Sequence, residues 1–407
     1  MRDRIEKERI GLLVPHLAKG GAGRAVSRIS KLLAQNYDVY IILFTGKTID
    51  FEYCGKVVDL DLPSVEENLL QKLLRTKKRI KAIKEVKSTY KLVVVISFLQ
   101  IANICNILGK SKKCKTVVSV RGSIFSHKAD GISATIKSKI VKRLYKSADR
   151  IIAVSKLLRR NIIDTCGVKP EKIVTIYNPY NIEQIQRLMG EKIESDLLAF
   201  TKERIVVLAA GQLVFQKGFW HLIKAFSLLK TTNARLLICG EGYQYDPLNK
   251  LIIDLKLSES VKLLGFQKNV FKYMRLADVF VLSSITEGFP NVLPEAMACG
   301  TPIVSVDCTS GPREILVEKP DINKSAKDIE MVDYGVLVPP MSPVQNWDSD
   351  LIEDNEVKLA EALNMIIESD VLRTEYSSRA VERASAFSEA VCLREYCKVL
   401  DDVLERV

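Results

Sequence analysis

Short apolar runs alternate with segments of helical periodicity through the first half of the chain. Runs of this length that are rich in Val and Ile predict buried β-strands. The predicted strands are Ile10–Val14, Val39–Phe44, Leu92–Ser97, Thr116–Val120, Arg150–Val154 and Lys172–Ile176. Helical patterns lie between several of them, as at Ala25–Asn36 and Leu69–Lys87. Continuous apolar strands that alternate with helices predict a parallel sheet covered on both faces.

The alternation begins again near residue 205. Between the two halves, the turn-prone Tyr177–Asn181 and a polar, weakly ordered stretch to about Glu203 indicate a domain boundary. In the second half the pattern predicts strands at Ile205–Ala210, Arg235–Cys239, Val261–Leu264, Val279–Ser283 and Pro302–Val306, and helices over Trp220–Leu229, Pro247–Leu255 and Pro294–Cys299. Residues 318–350 are irregular and predict an insertion or loop, and a helical pattern returns from Glu353.

These patterns predict an α/β protein with two tandem Rossmann-like domains, each a doubly wound parallel sheet. We assign residues 1–185 to the first domain and 204–385 to the second, and we expect a helix over 386–407 to pack back on the first. In such sheets ligands bind at the carboxyl ends of the strands. We therefore expect both domains to turn their loops into a cleft between them.

The composition is that of an ordinary globular protein, with 407 residues, 47% hydrophobic and 27% charged. No apolar run approaches the ~18–20 residues that a membrane span requires, and the charged Met1–Arg9 segment leads directly into a strand, so no secretory signal is predicted. Nine cysteines without a Cys-x-x-Cys pair indicate reduced thiols in a cytoplasmic protein.

The net charge of +12 is unevenly distributed, with +21 on residues 1–190 and −9 on the remainder. Basic residues concentrate at 71–91 and 110–160. Such a field attracts polyanions, either nucleic acid or anionic lipid headgroups, although each run taken singly also fits a solvated surface. The leucines and isoleucines of the first run have the spacing of an interfacial amphipathic helix; a helix packed on a sheet looks the same.

A glycine-rich stretch, Leu17–Val26 (LAKGGAGRAV), follows the first predicted strand. A dinucleotide-binding loop requires G-x-G-x-x-G, and here Gly21 and Gly23 fit but the third position is Val26. An ATP-binding loop requires Gly-Lys-Ser/Thr, whereas Arg24 follows the second glycine. The stretch is therefore either a loop that lets some ligand approach the backbone or a tight turn without a ligand.

The segment Ser283–Ser305 has the most informative spacing in the chain. Glu287 follows a buried strand, and Glu295 lies eight residues later in the first turn of a predicted helix, behind Pro294. Residues 288–293 lead to the N-terminus of that helix, which attracts anions. A sugar–diphosphate–ribose ligand requires this order of carboxylate, amides and carboxylate. The alternative is a turn glutamate followed by one that complements the helix dipole.

This segment resembles the E-x7-E signature of the retaining family 4 glycosyltransferases, which have the GT-B fold. Further stretches resemble the family in the same order along most of the chain. They are KGGAGRAV, SADRIIAVSKLLRRNI, IYNPYN, AAGQLVFQKGFWHLIKAF, ICGEGY, VKLLGFQ and EGFPNVLPEAMACGTPIVSVDCTSGPREIL. Each glycine motif alone is weak, whereas the ordered set is specific.

The resemblance implies a transferase that moves a hexose or N-acetylhexosamine from a UDP-sugar to a glycan acceptor, with no cofactor. It implies that Lys217 neutralises the donor diphosphate and that Glu287 holds sugar hydroxyls, which makes both catalytic. It further implies that Glu295 binds the ribose. The donor-binding residues implied in this way are Gly20, Gly21, Gln212, Lys217, Glu287, Phe289, Pro290, Asn291, Val292, Leu293 and Glu295.

Two positions depart from the family pattern. Gln212 stands where the family commonly has an arginine, so Lys217 must carry more of the leaving-group charge or Arg24 must help. Arg121 stands where many relatives have a histidine, and His127 follows six residues later. Arg24, Arg121 and His127 are therefore candidates for the acceptor side; Arg121 is almost equally compatible with a salt-bridged loop residue.

The cationic first half suits a lipid-linked acceptor at an anionic membrane, as in bacterial capsule, O-antigen or lipopolysaccharide synthesis. We therefore expect a cytoplasmic protein, peripheral at the inner face of the membrane. No metal site is expected: Asp59-Leu-Asp61 has the form used by metal-dependent glycosyltransferases but lies in an edge segment. A UDP-sugar 2-epimerase of the same fold is the alternative. A nucleic-acid-binding protein is disfavoured because no recognised module is present.

Overall fold

The computed structural model describes residues 7–18, 21–63, 68–122 and 140–405. These residues form two compact units. The first unit comprises the described residues of Met1–Pro179 together with those of Glu389–Val407, and the second comprises Tyr180–Ser388. The chain thus changes unit at residue 180, within the turn-prone Tyr177–Asn181 and five residues before the end assigned to the first domain.

The first unit is built on a seven-stranded parallel sheet. Its strands are β1 (Arg9–Val14), β2 (Asp38–Leu43), β3 (Lys56–Asp59), β4 (Val94–Phe98), β5 (Lys115–Val120), β6 (Arg150–Ala153) and β7 (Ile173–Thr175). They lie in the order β3-β2-β1-β4-β5-β6-β7, and every neighbouring pair is parallel. The order reverses between β1 and β4, where doubly wound sheets bind ligands.

Helices cover both faces of this sheet. They include α1 (Gly21–Leu33), α2 (Leu69–Thr89), α3 (Gln100–Leu108), α4 (Lys156–Cys166) and, from the end of the chain, α14 (Glu389–Val403). Tyr396 and Leu400 of α14 are buried in the same core as Ile10 and Ile29. Apolar contacts therefore attach the last helix to the first unit.

Only half of α2 behaves as an ordinary packed helix. Its later residues Ile83 and Val86 are buried in the core, whereas Leu70, Leu73 and Leu74 are 66%, 55% and 50% exposed. Packing on the sheet therefore explains the apolar residues in the carboxyl-terminal half of α2, but not those in its amino-terminal half.

The second unit repeats the architecture with one change. Its strands are β8 (Ile205–Ala210), β9 (Ala234–Cys239), β10 (Val261–Leu263), β11 (Val279–Leu282), β12 (Ile303–Val306), β13 (Glu330–Val332) and β14 (Gly335–Val338). The order is β10-β9-β8-β11-β12-β14-β13, and β13 alone runs antiparallel to its neighbour. Residues 318–350 are largely irregular, but they also contain two strands that the sequence did not predict: β14 extends the core of the sheet and β13 forms its edge.

The helices described in the second unit are α5 (Ile182–Leu188), α6 (Ser195–Thr201), α7 (Phe219–Ser227), α8 (Tyr245–Asp254), α9 (Phe271–Leu276), α10 (Val292–Ala298), α11 (Pro312–Leu316), α12 (Asp354–Ile367) and α13 (Asp370–Ala384). The stretch expected to be weakly ordered is helical instead, because Asn181 caps α5 and Leu197 of α6 is buried. The predicted class, two Rossmann-like units with parallel sheets, is confirmed. Within the described residues, no helix has the length and apolarity of a membrane span.

Candidate active site

Two neighbouring strands of the second sheet position the predicted catalytic side chains. The strand order reverses between β8 and β11, which lie side by side although 68 residues separate the end of β8 from the start of β11. The segment after β8 carries Lys217, and the segment after β11 carries Glu287. Both therefore start at the switch point, where this class of sheet binds ligands.

Lys217 and Glu287 form an ion pair, with the Lys217 Nζ 2.5 Å from the Glu287 Oε1. Their side chains are only 22% and 11% exposed. The Ser284 hydroxyl donates to the same oxygen at 2.7 Å. Within the described chain no hydrogen bond reaches Oε2, so this oxygen can accept one from a ligand hydroxyl. The ammonium has two further protons to donate, so the pair can serve an anion and a hydroxyl side by side.

Backbone contacts fix the two segments against each other. The Ile285 N–H donates to the Gln216 carbonyl at 2.9 Å, and the Ser283 hydroxyl donates to the Lys217 carbonyl at 2.9 Å. Gly218 has φ +59°, and a Cβ there would lie 2.4 Å from the Ser283 carbonyl oxygen. Because only glycine allows this approach, the turn that holds Lys217 depends on it.

The segment between the two glutamates is held by several contacts within the same unit. Asn291 Oδ1 accepts a hydrogen bond from the Tyr180 hydroxyl at 2.6 Å, and Phe289 packs edge-on against Phe387. A Cβ on Gly311 would lie 2.3 Å from Pro290 Cδ, so the following loop also lies close. The position of this segment is therefore fixed by residues distant in the sequence.

The structure changes the expected availability of two donor-binding groups. The Leu293 N–H donates to the Pro290 carbonyl at 3.1 Å, so a phosphate would have to share or replace that bond. Glu295 is only 1% exposed on α10, whereas Gln212 is exposed after β8. Val292 is the first residue of α10. The ligand roles of these residues stay predictions.

A buried thiol lies close to the ion pair but offers no nucleophile. Burial, reinforced by the negative charge of Glu287, raises the pKa of the Cys308 thiol well above its usual range. The thiol therefore stays protonated at neutral pH, and the thiolate is the reactive form.

One cluster in the described residues has metal-ligating atoms close together: His221, Glu353 and Glu356. His221 Nδ1 lies 2.6 Å from Glu356 Oε1, and its Nε2 lies 3.1 Å from the Ser342 carbonyl. The other Glu356 oxygen accepts from the Glu353 N–H. Because both ring nitrogens of His221 already have hydrogen-bond partners, this cluster is better explained as a contact that joins α7 to α12 than as a metal site.

Asp59 of the Asp-x-Asp segment is likewise engaged in a turn. Its two oxygens accept hydrogen bonds from the N–H groups of Gly46 and Asp61, each at 2.9 Å. These bonds account for a structural role of Asp59 at the edge strand β3.

The site residues predicted in the first unit are only partly described. Gly20 and His127 lie outside the described residues. Gly21 begins α1, and Arg24 is exposed in its first turn. Gly23 fits the second glycine of the dinucleotide-binding motif. The structure explains why this position requires glycine, because a Cβ there would lie 2.6 Å from the Ala18 carbonyl oxygen.

Arg121 lies at the carboxyl end of β5 and is half-buried. It donates through Nη1 to Asn178 Oδ1, and within the described residues it forms no salt bridge. Among the described residues, Arg121 therefore does not form the salt bridge that the alternative interpretation predicted.

Sequence reasoning missed Ser284 and Tyr180. Ser284 belongs to a pair of serines that ends the apolar run of β11, which is a visible signal for a polar strand end. The contact of Tyr180 with Asn291 crosses 111 residues of sequence, and no local pattern predicts it.

The fold defines the broad class. The structure is similar to that of HepE from Anabaena in complex with UDP-glucose, with a TM-score of 0.71, 20% identity, and coverage of 97% of this chain and 99% of the other. Neighbours of this kind have the GT-B fold of glycosyltransferases.

Sequence comparison then gives the family. The family model "Glycosyltransferase Family 4" matches residues 19–184, and "Glycosyl transferases group 1" matches 191–326. An uncharacterized glycosyltransferase of Methanocaldococcus jannaschii is 32% identical over 82% of this chain and 84% of its own. The chain belongs to glycosyltransferase family 4.

A second relative is 28% identical over 97% of this chain and 99% of its own. It is the N-acetylgalactosamine-N,N'-diacetylbacillosaminyl-diphospho-undecaprenol 4-alpha-N-acetylgalactosaminyltransferase of Campylobacter jejuni.

Proposed function

We propose that this glycosyltransferase moves a hexose or N-acetylhexosamine from a UDP-sugar to a hydroxyl of a lipid-linked glycan, with retention of the α configuration and without a metal ion. The product belongs to a bacterial surface polysaccharide or a related glycan. The observation that carries the proposal is the Lys217–Glu287 pair at the switch point of the second sheet.

The chemistry of this pair supports a nucleotide-sugar donor. The Lys217 ammonium offers charge to a diphosphate, and Glu287 offers carboxylate oxygen to sugar hydroxyls. A structural neighbour was solved with UDP-glucose, which supports a UDP-sugar as the donor class. The Campylobacter jejuni relative acts on a diphospho-undecaprenol acceptor, which supports a lipid-linked acceptor here.

The proposed reaction is a front-face substitution. The bond between the anomeric carbon and the UDP phosphate oxygen breaks, and a bond from that carbon to the acceptor oxygen forms on the same face. The acceptor proton passes to the departing phosphate oxygen, so no protein nucleophile is required. Lys217 stabilises the charge that develops on the leaving diphosphate, and Glu287 orients the sugar.

Membrane association forms a second part of the proposal. The exposed Leu70, Leu73 and Leu74 lie in α2 beside exposed lysines such as Lys77 and Lys78. An apolar patch flanked by lysines fits insertion at an anionic lipid surface. We therefore propose that the protein associates with the inner face of the membrane, where it would meet a lipid-linked acceptor.

A panel of UDP-sugars tests the proposal, first by thermal shift and then by product analysis with and without a prenyl-diphosphate-linked glycan. Transfer should require both substrates, survive EDTA, and give an α linkage by NMR. Conversion of a UDP-sugar to its 2-epimer without acceptor would instead establish the epimerase alternative. An inverted linkage would exclude the front-face route.

A further inference from the structure

Arg121 occupies an unusual position in the first unit. It is the first residue after β5, and its guanidinium contacts residues at the ends of two other strands. The Arg121 Nη1 donates to Oδ1 of Asn178, which follows β7. Its guanidinium carbon lies 5.4 Å from the ring centre of Phe98, the last residue of β4. The side chain therefore lies along the carboxyl edge of the sheet.

The charge of Arg121 is not balanced within the described residues. Its buried Nε makes no hydrogen bond; the buried Tyr396 hydroxyl lies near enough for the guanidinium charge to act on it, and no carboxylate among the described residues forms a salt bridge with Arg121. By contrast, the buried Arg313 is paired with Asp307 and Glu330. A partly buried cation is costly unless an anion or hydrogen-bond acceptors offset its desolvation. The Arg121 guanidinium is therefore suited to bind an anion that a ligand supplies.

The neighbouring strand ends are cationic as well. The described segments directly after β4, β5, β6 and β7 are 99–104, 121–122, 154–160 and 176–181. They contain no Asp or Glu, and their cations at this edge are Arg121 and Lys156. Arg159 and Arg160 do not add to this edge, because Arg159 donates to the carbonyls of Pro170 and Ile173 at the amino end of β7 and Arg160 pairs with Asp164. An edge of one sign concentrates anions at the place where such sheets bind ligands.

We infer that Arg121 binds a phosphate group of the acceptor substrate. The inference rests on the proposed function, which it deepens by naming the acceptor's chemical class as a prenyl-linked diphosphate or a comparable phosphate ester. A planar guanidinium matches phosphate oxygens in a bidentate manner, which a histidine at this position does not.

The acceptor is favoured over the donor as the source of the phosphate for two reasons. In the proposed function, the cation for the donor diphosphate is Lys217, which belongs to the other unit. The Campylobacter jejuni relative acts on an acceptor that carries a diphosphate.

Geranyl diphosphate, a soluble prenyl diphosphate, tests the inference on the full-length protein by isothermal titration with UDP present at saturation. We expect wild-type protein to bind it, and Arg121→Gln to bind it at least about tenfold more weakly with an unchanged Kd for UDP. Geraniol, which lacks the phosphates, should not bind detectably to either. If Arg121→Gln does not fold, Arg121→Lys should still weaken binding several-fold.

Arg235 provides a matched control. It is half-buried, donates through Nη1 to the Ala234 carbonyl, lies 5.2 Å from the Phe200 ring centre, and also has a buried, unpartnered Nε. It differs in lying at the amino end of β9. Arg235→Gln should bind geranyl diphosphate like wild type.

Three results would overturn the inference: equal binding by Arg121→Gln and wild type, equal weakening by Arg235→Gln, or binding of geranyl diphosphate by wild type only in a parallel titration without UDP. The last result would assign the phosphate to the donor site. Failure of the proposed function is distinct, because it would appear as no binding of UDP by the wild-type protein.

Discussion

The ammonium of Lys217 and the carboxylate of Glu287 lie 2.5 Å apart on two segments that leave adjacent strands. Replacing Lys217 by Met removes the cation that we propose for the leaving diphosphate and should lower kcat by about 10²–10³-fold. Glu287→Gln should lower kcat with the fold intact. Initial rates with saturating UDP-sugar, together with circular dichroism, measure both.

Lys272 provides the control for this pair. Its Nζ forms an ion pair with Glu194 at 2.6 Å in the same unit, but away from the switch point. Lys272→Met should therefore leave kcat within about twofold of wild type, because this pair, with Lys272 12% and Glu194 50% exposed, includes neither Lys217 nor Glu287. Similar losses in Lys217→Met and Lys272→Met would contradict the site assignment.

Gly218 should tolerate no side chain. Its φ of +59° and the 2.4 Å approach to the Ser283 carbonyl mean that Ala would strain the backbone and displace the turn that carries Lys217. Gly218→Ala should reduce kcat by about tenfold or more. Gly167 has φ +60°, and a Cβ there meets only the flexible end of Lys146. Gly167→Ala should cost about 1–2 kcal/mol in stability with kcat unchanged. A loss of kcat in Gly167→Ala would show that the effect at Gly218 is not specific to the turn that carries Lys217.

Lys87 gives a prediction about pH. Its ammonium is 2% exposed and donates to the Gly109 carbonyl, and burial lowers its pKa to about 8. The unfolded chain, with a pKa of about 10.4, binds more protons between pH 8 and pH 10.4, so this residue makes the free energy of unfolding rise with pH there. Between pH 7 and pH 10 wild type should gain about 2–3 kcal/mol relative to Lys87→Met. Urea unfolding followed by circular dichroism measures this.

The neighbouring Lys84 separates this effect from other titrations. Lys84 is exposed on the same helix, so Lys84→Met should track wild type across the whole pH range. Groups that titrate in every variant cancel in the comparison. A difference between wild type and Lys87→Met that does not change with pH would show that Lys87 is not desolvated in the folded protein.

Much of the fold was predictable because buried parallel strands are continuous apolar runs. The runs at Ile10–Val14 and Ile205–Ala210 lie within one residue of the observed β1 and β8. The strands β13 and β14 were missed because they are short runs inside a segment otherwise rich in Pro, Asp and Ser. The position of β14 depends on pairing with β12, which lies about 30 residues earlier, and β13 pairs in turn with β14.

The candidate site was only partly predictable. Resemblance to a family identified Lys217 and Glu287 individually, but their ion pair arises because β8 and β11 are neighbours in the sheet. The same limit applies to α2, where one apolar stripe was visible in the sequence. Only packing divides that stripe into a buried half and an exposed half.

The exposed half of α2 should direct binding to anionic membranes. Burying a leucine side chain in the lipid interface contributes about 1.5–3 kcal/mol, and each nearby lysine about 1 kcal/mol. We therefore expect sedimentation with vesicles of phosphatidylglycerol and phosphatidylcholine, and much less with phosphatidylcholine alone. Leu70→Glu/Leu73→Glu should weaken binding by about tenfold or more, because the insertion is lost and negative charge is added. Lys77→Glu/Lys78→Glu should do the same, with a stronger dependence on salt.

The control for the leucine variant is Leu351→Glu, since Leu351 is 56% exposed in the second unit. It should bind vesicles like wild type, because the loss is specific to α2 and not a general effect of an added glutamate. Equal sedimentation of wild type with neutral and anionic vesicles at low salt would refute the membrane proposal. Unchanged vesicle binding by Leu70→Glu/Leu73→Glu would show instead that another surface of the protein contacts the membrane.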